Sequence, residues 1–482
     1  MDSPSLVRQI PLEVFLQVSS YLSTPDLCSL RRTCKHAEMS LFETFAKEFF
    51  SKRQFMLSET SLQALIDISN HERLSQFLSH VIIGLDSFET GRSQSGFGQT
   101  TDAKRYGAGL DDERNMLSRG QDREMLAQAF RNLPNLQTVG LRDYSSGGRF
   151  RDNGQWHSYG ATTIFQETGV RLLNGRYSTD ADTQFTSRAF SSILYALGQS
   201  GAKPQAFEVL LRKTALGLPY DAFKIPNFFE PWVTPLLSSL KTLLLTIDST
   251  SSQDDNGTDD DPDVEYHDFP LRQHLCHTPN LTHLRMNFQS TLRSNPRRFM
   301  VWLGRPVVQN ASVNSSPGPQ LPKSPDPVAL SHLQRLDIGM LAISPRVLLA
   351  IIHKFKPTLR SLSLWKIDLE PEDQHRQDGK RVSIWPKLLS QLPDLDYLSV
   401  GCIGQVLPSR HQRIGFKLPA GQTGEPDVTR TCSVSSDMVD FLNTLISDAV
   451  VTWPEGDRLS DDESMSDDDY DSDSDIDMDD DE

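Results

Sequence analysis

Four histidines and a cysteine crowd one stretch of the chain: His267, His274, Cys276, His277 and His283. Imidazole nitrogens and a thiolate are ordinary zinc ligands. Yet the histidines are spaced seven, three and six residues apart, which repeats no standard ligand set. His283 also lies inside "LTHLRM", already legible as a strand. No metal is expected there. Two glycine-rich stretches, "SQSGFGQT" (93–100) and "SSGGRF" (145–150), lack a preceding strand and the Gly-Lys-Ser/Thr ending of a phosphate cradle, so they read as loops. Neither Gly-x-Ser-x-Gly nor His-Glu-x-x-His occurs, and no nucleophile, base and oxyanion set stands out. The expectation is a chain without catalytic residues or cofactor.

Two further stretches carry charge that could be used. Residues 140–160 mix Arg142, Arg149 and Arg151 with Tyr144, Phe150, Trp156 and Tyr159. A partner-binding loop and a mobile, inert insertion both fit that composition. At the other end, Ser460, Ser464, Ser466, Ser472 and Ser474 each have an acidic residue three positions on, the spacing favoured by acid-directed kinases. A simple solvating polyanion explains the same residues.

That polyanion dominates the charge. The chain of 482 residues has a formal net charge of −16, and residues 461–482 hold fourteen acidic residues with no Lys or Arg. Without them the first 460 residues carry only −2. A nearly neutral body gives no sign of a nucleic-acid partner. The five cysteines form no C-x-x-C pair, which fits a reducing compartment, cytoplasmic and/or nuclear. No apolar run approaches a membrane span, and no secretory leader is visible.

The elements come next. In "IPLEVFLQVSSYLSTPDLCSLRRTCKH" (10–36), Pro11 suits the first turn of a helix, with Glu13 near its positive end. Thr24 reads as an N-cap, with Pro25 opening a second helix that aligns Leu27, Leu30 and Cys34. A third helical pattern spans 38–55. Three short helices bury too little surface for comfortable stability, so the unit needs a partner.

These residues resemble an F-box. Ile10-Pro11-x-Glu13 matches the family's opening Leu-Pro-x-Glu, Val14 and Phe15 its paired apolar residues, Tyr21-Leu22 its Tyr-Leu, and Asp26-Leu27 its Asp-Leu. Cys34 falls where the family often has Cys, while the Trp common soon after is absent, with Ala37 in its place. The resemblance implies an apolar face of Ile10, Pro11, Val14, Phe15, Val18, Leu22, Leu27 and Leu30 that meets the Skp adaptor of a cullin–RING ubiquitin ligase.

Further along, an L-x-x-L-x-x-L-x-L pattern recurs: Leu133 to Leu141, Leu237 to Leu245, Leu330 to Ile338 and Leu392 to Val400. Partial copies end at Met286, Leu364 and, weakly, Leu211. The last positions alternate as half-buried strands do. Successive units are 70, 34, 41, 52, 26 and 36 residues apart, so the array is irregular. The units resemble degenerate leucine-rich repeats, with Leu341, Ile367 and Ile403 where that family places Asn or Cys.

The expected fold is α/β. An F-box covers 1–50, a helical connector 51–86 and a flexible insertion 87–122. An irregular leucine-rich-repeat-like solenoid covers 123–453, with loops at 248–268 and 310–327 and a capping helix at 435–450. A disordered acidic tail follows at 454–482. The implied role is a substrate receptor of an SCF-type ligase, joining the adaptor to an unknown protein substrate. A scaffold or acidic chaperone of basic proteins is the alternative, and neither role calls for nucleic acid or membrane.

Overall fold

A computed structural model describes residues 10–88, 101–145, 151, 157–172, 180–212, 217–249, 267–289, 296–307, 325–371, 383–407, 411–418, 422, 424–433 and 437–452. The serines of the tail and nearly all of both expected loops lie outside them.

Three helices open the chain: α1 (Leu12–Ser20), α2 (Thr24–Thr33) and α3 (Lys35–Phe50). Side chains set both breaks. Ser23, not Thr24, caps α2: its hydroxyl oxygen accepts the Asp26 N–H at 3.3 Å and donates to the Asp26 carboxylate at 2.6 Å. Asp26 also complements the positive end of the helix. Cys34 caps α3, its Sγ accepting the Ala37 N–H at 3.5 Å.

One residue after α3 the chain enters a parallel sheet. The strands β1 (Lys52–Met56), β2 (His80–Gly84), β3 (Thr138–Arg142), β4 (Ala206–Leu210), β5 (Thr242–Asp248), β6 (His283–Gln289), β7 (Arg335–Ile343), β8 (Ser361–Leu369) and β9 (Tyr397–Gly401) each pair with their predecessor. Sequential parallel order with helical crossovers is the topology of a strand-rich solenoid. One register row reads Val81, Val139, Phe207, Leu243, Leu284, Leu336, Leu362 and Leu398, every member buried. It shares one continuous core with helical residues, among them Leu65, Phe130, Ile193, Leu237, Trp302 and Ile351. Met56, Ile82 and Leu244 are buried but join neither core cluster, because alternation turns them to the opposite face.

Two devices repeat from unit to unit. The carbonyl just before each strand accepts two N–H groups of the next unit, eight times in succession from Ser51 to Arg360, at 2.8–3.1 Å. Farther along the strand, Met340, Lys366 and Cys402 take left-handed φ values of 62°, 50° and 51°. Each such residue costs roughly 1 kcal/mol. In return the next residue, Leu341, Ile367 or Ile403, turns into the core. The position expected to carry a polar loop residue is thereby apolar and buried.

The far end closes differently. Strands β10 (Gly404–Val406), β11 (His411–Phe416) and β13 (Ala449–Thr452) form an antiparallel ribbon, and β12 (Thr429–Cys432) pairs antiparallel with β9. The expected capping helix runs from Met438 to Asp448, with Met438 and Leu445 buried.

Two domain boundaries need correction. The segment 51–86, expected as a helical connector, carries β1 and β2 around the helix Glu59–Asn70 and starts the solenoid. Charged Lys52 and Arg53 disguise β1, and Val81, Ile82 and Ile83 are all buried, so β2 shows no alternation. The expected flexible insertion 87–122 contains the helix Thr101–Arg119. Its buried stripe of Tyr106, Leu110 and Met116 is interrupted by Glu113. Burial pushes the Glu113 carboxyl up to about 8, against the Phe88 N–H that donates to it at 3.3 Å. Neutral, it takes a place meant for an apolar residue.

Candidate functional site

The N-terminal helices have a small core of Phe15, Leu27, Ala37, Leu41 and Phe49. Outside it, α1 presents a second apolar stripe. Ile10, Val14 and Val18 recur at intervals of four, and Tyr21 follows; the last three are 48%, 50% and 81% exposed. Leu12 and Met39 are exposed as well. A surface helix that is apolar on two faces has one face too many for its own fold.

The expected adaptor residues therefore divide. Ile10, Pro11, Val14 and Val18 lie on the surface. Leu22 and Leu30 are half-buried and pack against the core. Phe15 and Leu27 are only 5% and 3% exposed, and this corrects their expected place on the outer face. They hold the helices together. Leu12, Tyr21 and Met39 extend the exposed set beyond the expected residues; of these, Tyr21 had the signal of its Tyr-Leu motif.

Three attachments join the module to the sheet. Phe50 packs against both cores, one residue from the start of β1. Phe42 meets Phe77 edge-on at 6.2 Å, with the Arg73 guanidinium 3.5 Å above its ring. The third is Arg151, 6% exposed, reaching in from beyond β3. Its Nε and second terminal nitrogen donate to the Glu48 carboxylate at 2.8 and 3.1 Å. Its remaining nitrogen donates to the Ser19 carbonyl at 2.9 Å and to the Leu22 carbonyl. One guanidinium thus clamps α3 and the carbonyl end of α1, where positive charge is favoured.

Elsewhere in the 140–160 stretch, Arg142 and Tyr144 are buried while His157 and Tyr159 are exposed. Arg142 pairs with Glu208 at 2.9 Å, and the Tyr159 N–H donates to the Gln54 carbonyl at 2.9 Å. Arg149, Phe150 and Trp156 lie outside the described residues.

The face of the sheet opposite the core, on which no helix packs among the described residues, is polar over much of its area, with Met56, Ile82 and Leu244 as buried apolar exceptions. One register row reads Lys52, His80, Thr138, Ala206, Thr242, His283, Arg335, Ser361 and Tyr397. The row two residues on includes Glu208, Arg285 and Asp337. Asp337 receives His283 at 3.0 Å, Arg285 at 3.2 Å and Arg335 at 3.3 Å. Burial alone would raise its pKa, but the hydrogen bond from His283 and the charges of Arg285 and Arg335 outweigh burial and hold it down at about 2. Burial lowers His80 to about 4, so Glu208 beside it faces a mostly neutral imidazole and the Arg142 cation.

The histidine stretch is scattered by the fold. His274 is fully buried between Phe190 and Phe223, at ring distances of 6.0 and 5.3 Å, and burial lowers it to about 3. His283 belongs to Asp337, and Cys276 is exposed. Among the described residues no group of three or more His, Cys, Asp or Glu could hold a metal.

A helical module with an unused apolar stripe, fused to a strand-rich solenoid, is the class of protein these features define. Residues 7–37 match the family model of the F-box-like domain, and the chain carries that domain at its N-terminal end. No curated protein matches the chain. Among solved structures, the crystal structure of the Rad7 and Elc1 complex in yeast aligns at 12% identity, over 79% of this chain and 84% of that one, with a TM-score of 0.22.

Proposed function

We propose that the chain is a substrate-recognition subunit of a Skp–cullin–F-box ubiquitin ligase. The observation that carries this reading is the exposed Ile10–Val14–Val18–Tyr21 stripe within a segment matching the F-box-like family. Burying five such partly exposed side chains, Leu12 included, is worth on the order of 5 kcal/mol before the costs of ordering. The chain contributes no chemistry in this reading. It holds the adaptor at one end and a protein substrate on the solenoid, raising the local concentration of a substrate lysine near a ubiquitin thioester carried by other subunits.

The test is co-purification with the Skp adaptor and cullin, comparing the wild type with Val14→Asp/Val18→Asp. Both residues are exposed, so the variant keeps its fold, checked by circular dichroism and thermal melting. Loss of the adaptor with an unchanged melt supports the reading; undiminished recovery refutes it.

A further inference from the structure

The charge of the chain is divided between two places. Near the starts of β6 and β7 the face opposite the core carries Arg285 and Arg335, with His283 among them, while Lys241 and Arg360, just before β5 and β8, stand exposed on the rim in the register that continues the buried row. Asp337 is the carboxylate in their midst. Lys241 and Arg360 are exposed, and Arg285 and Arg335 keep 23% and 25% of their side-chain surface. Four permanent cations against Asp337 and Asp396, the latter beside Arg360 on the next strand, leave a local excess of +2, on a body whose net charge is −2. Two further carboxylates lie at the far ends of the strands, Asp248 on β5 and Asp368 on β8.

We propose that the acidic C-terminal run, residues 461–482, docks on this basic patch of its own chain. Charge complementarity is the first argument, since the run holds fourteen acidic residues and no cation. Reach is the second. The described chain ends at Thr452 on β13, and the strand order β7-β8-β10-β11-β13 puts four spacings, about 19 Å, between it and the patch. Crossing from one end of the strands to the other adds roughly 20 Å. The linker 453–460 spans up to about 30 Å, and the run itself extends far beyond that. Tethering is the third, because covalent attachment through a short segment gives an effective concentration in the millimolar range. The attraction is electrostatic and partly exposed, so it is reversible and salt-sensitive. The tail therefore covers a surface that an acidic segment of another protein would need, and such a protein must displace it. The proposal is independent of adaptor docking.

The test uses the full chain with a site for a sequence-specific protease inserted after Gly456. After cleavage, size-exclusion chromatography at about 20 mM and about 500 mM salt compares Debye lengths of roughly 20 and 4 Å. Co-elution of the released fragment at low salt, and its loss at high salt, is expected. The variants Arg285→Glu/Arg335→Glu and Lys241→Glu/Arg360→Glu should each release it at low salt. The second pair lies on the exposed rim and guards against misfolding around Asp337. Departure from the wild type at low salt overturns the proposal, as does equal retention by both variants. Departure of the fragment while an added acidic peptide of the same length binds would overturn it in favour of a partner protein.

Discussion

The outer face of α1 and the helix-free face of the sheet are both surfaces left open by the core, but they are open in opposite ways. On α1 the uncovered residues are apolar and gain from being dried. On the sheet they are charged, and the central carboxylate is already crowded by cations. The first surface suits a partner that arrives and stays, while the second suits one that exchanges with salt or competing charge. In the proposed role the first would serve as a fixed end and the second as an exchangeable one.

The largest expected effect strikes the apolar surface. Val14→Asp/Val18→Asp should weaken adaptor binding by about 100-fold or more, a cost of about 3 kcal/mol, read by calorimetry. If binding survives while the sheet variants abolish it, the two surfaces have been assigned the wrong way round. Next comes Asp337→Asn, which leaves Arg285, Arg335 and the His283 ring without their common anion and should cost about 2–3 kcal/mol in chemical denaturation. Because the folded pKa of Asp337 is lowered to about 2, its stabilisation is complete above its unfolded value of about 3.9 and disappears as the pH falls through 2. The Asn variant should lack that acid-sensitive step.

Arg151→Ala should cost roughly 2 kcal/mol by freeing Glu48 and two helix-end carbonyls. Limited proteolysis should then cut the N-terminal module sooner, with the solenoid unaffected. Glu113→Gln separates structure from charge. The folded carboxyl keeps its proton up to about 8, so the wild type has its full stability below about 4.3 and loses it progressively as the pH climbs to 8. The Gln variant should be flat over that range, and a wild type equally flat would place Glu113 in water. Smallest is Ser23→Ala, at about 1 kcal/mol for the lost cap.

Much of this was readable in the residues. Strands β3 to β9 are legible from the recurring L-x-L ends of the repeat pattern, and most clearly where apolar and polar residues alternate, as in Leu362-Ser363-Leu364. Strands β1 and β2 did not, one being charged at its start and the other buried on both sides. The helix holding Glu113 looked like a loop because its stripe includes a carboxyl that only burial neutralises. In α1 the motif drew attention to the right helix but could not separate Val14 from Phe15. Both are apolar, and only packing tells which one turns inward. Arg151 stands out in the sequence only as one charge of a candidate partner loop, because the groups it binds within the chain lie 103 and more residues away.

Those long-range contacts have a mechanical consequence. A module joined only through Ser51 could swivel, and a second anchorage would still leave it a hinge. The junction at Phe50, the ring of Phe42 and the clamp of Arg151 are three separate contacts with the solenoid among the described residues. Whatever grips α1 is thereby held at a set height and angle above the stack of strands, so the span between the two ends is built into the fold like the arm of a caliper.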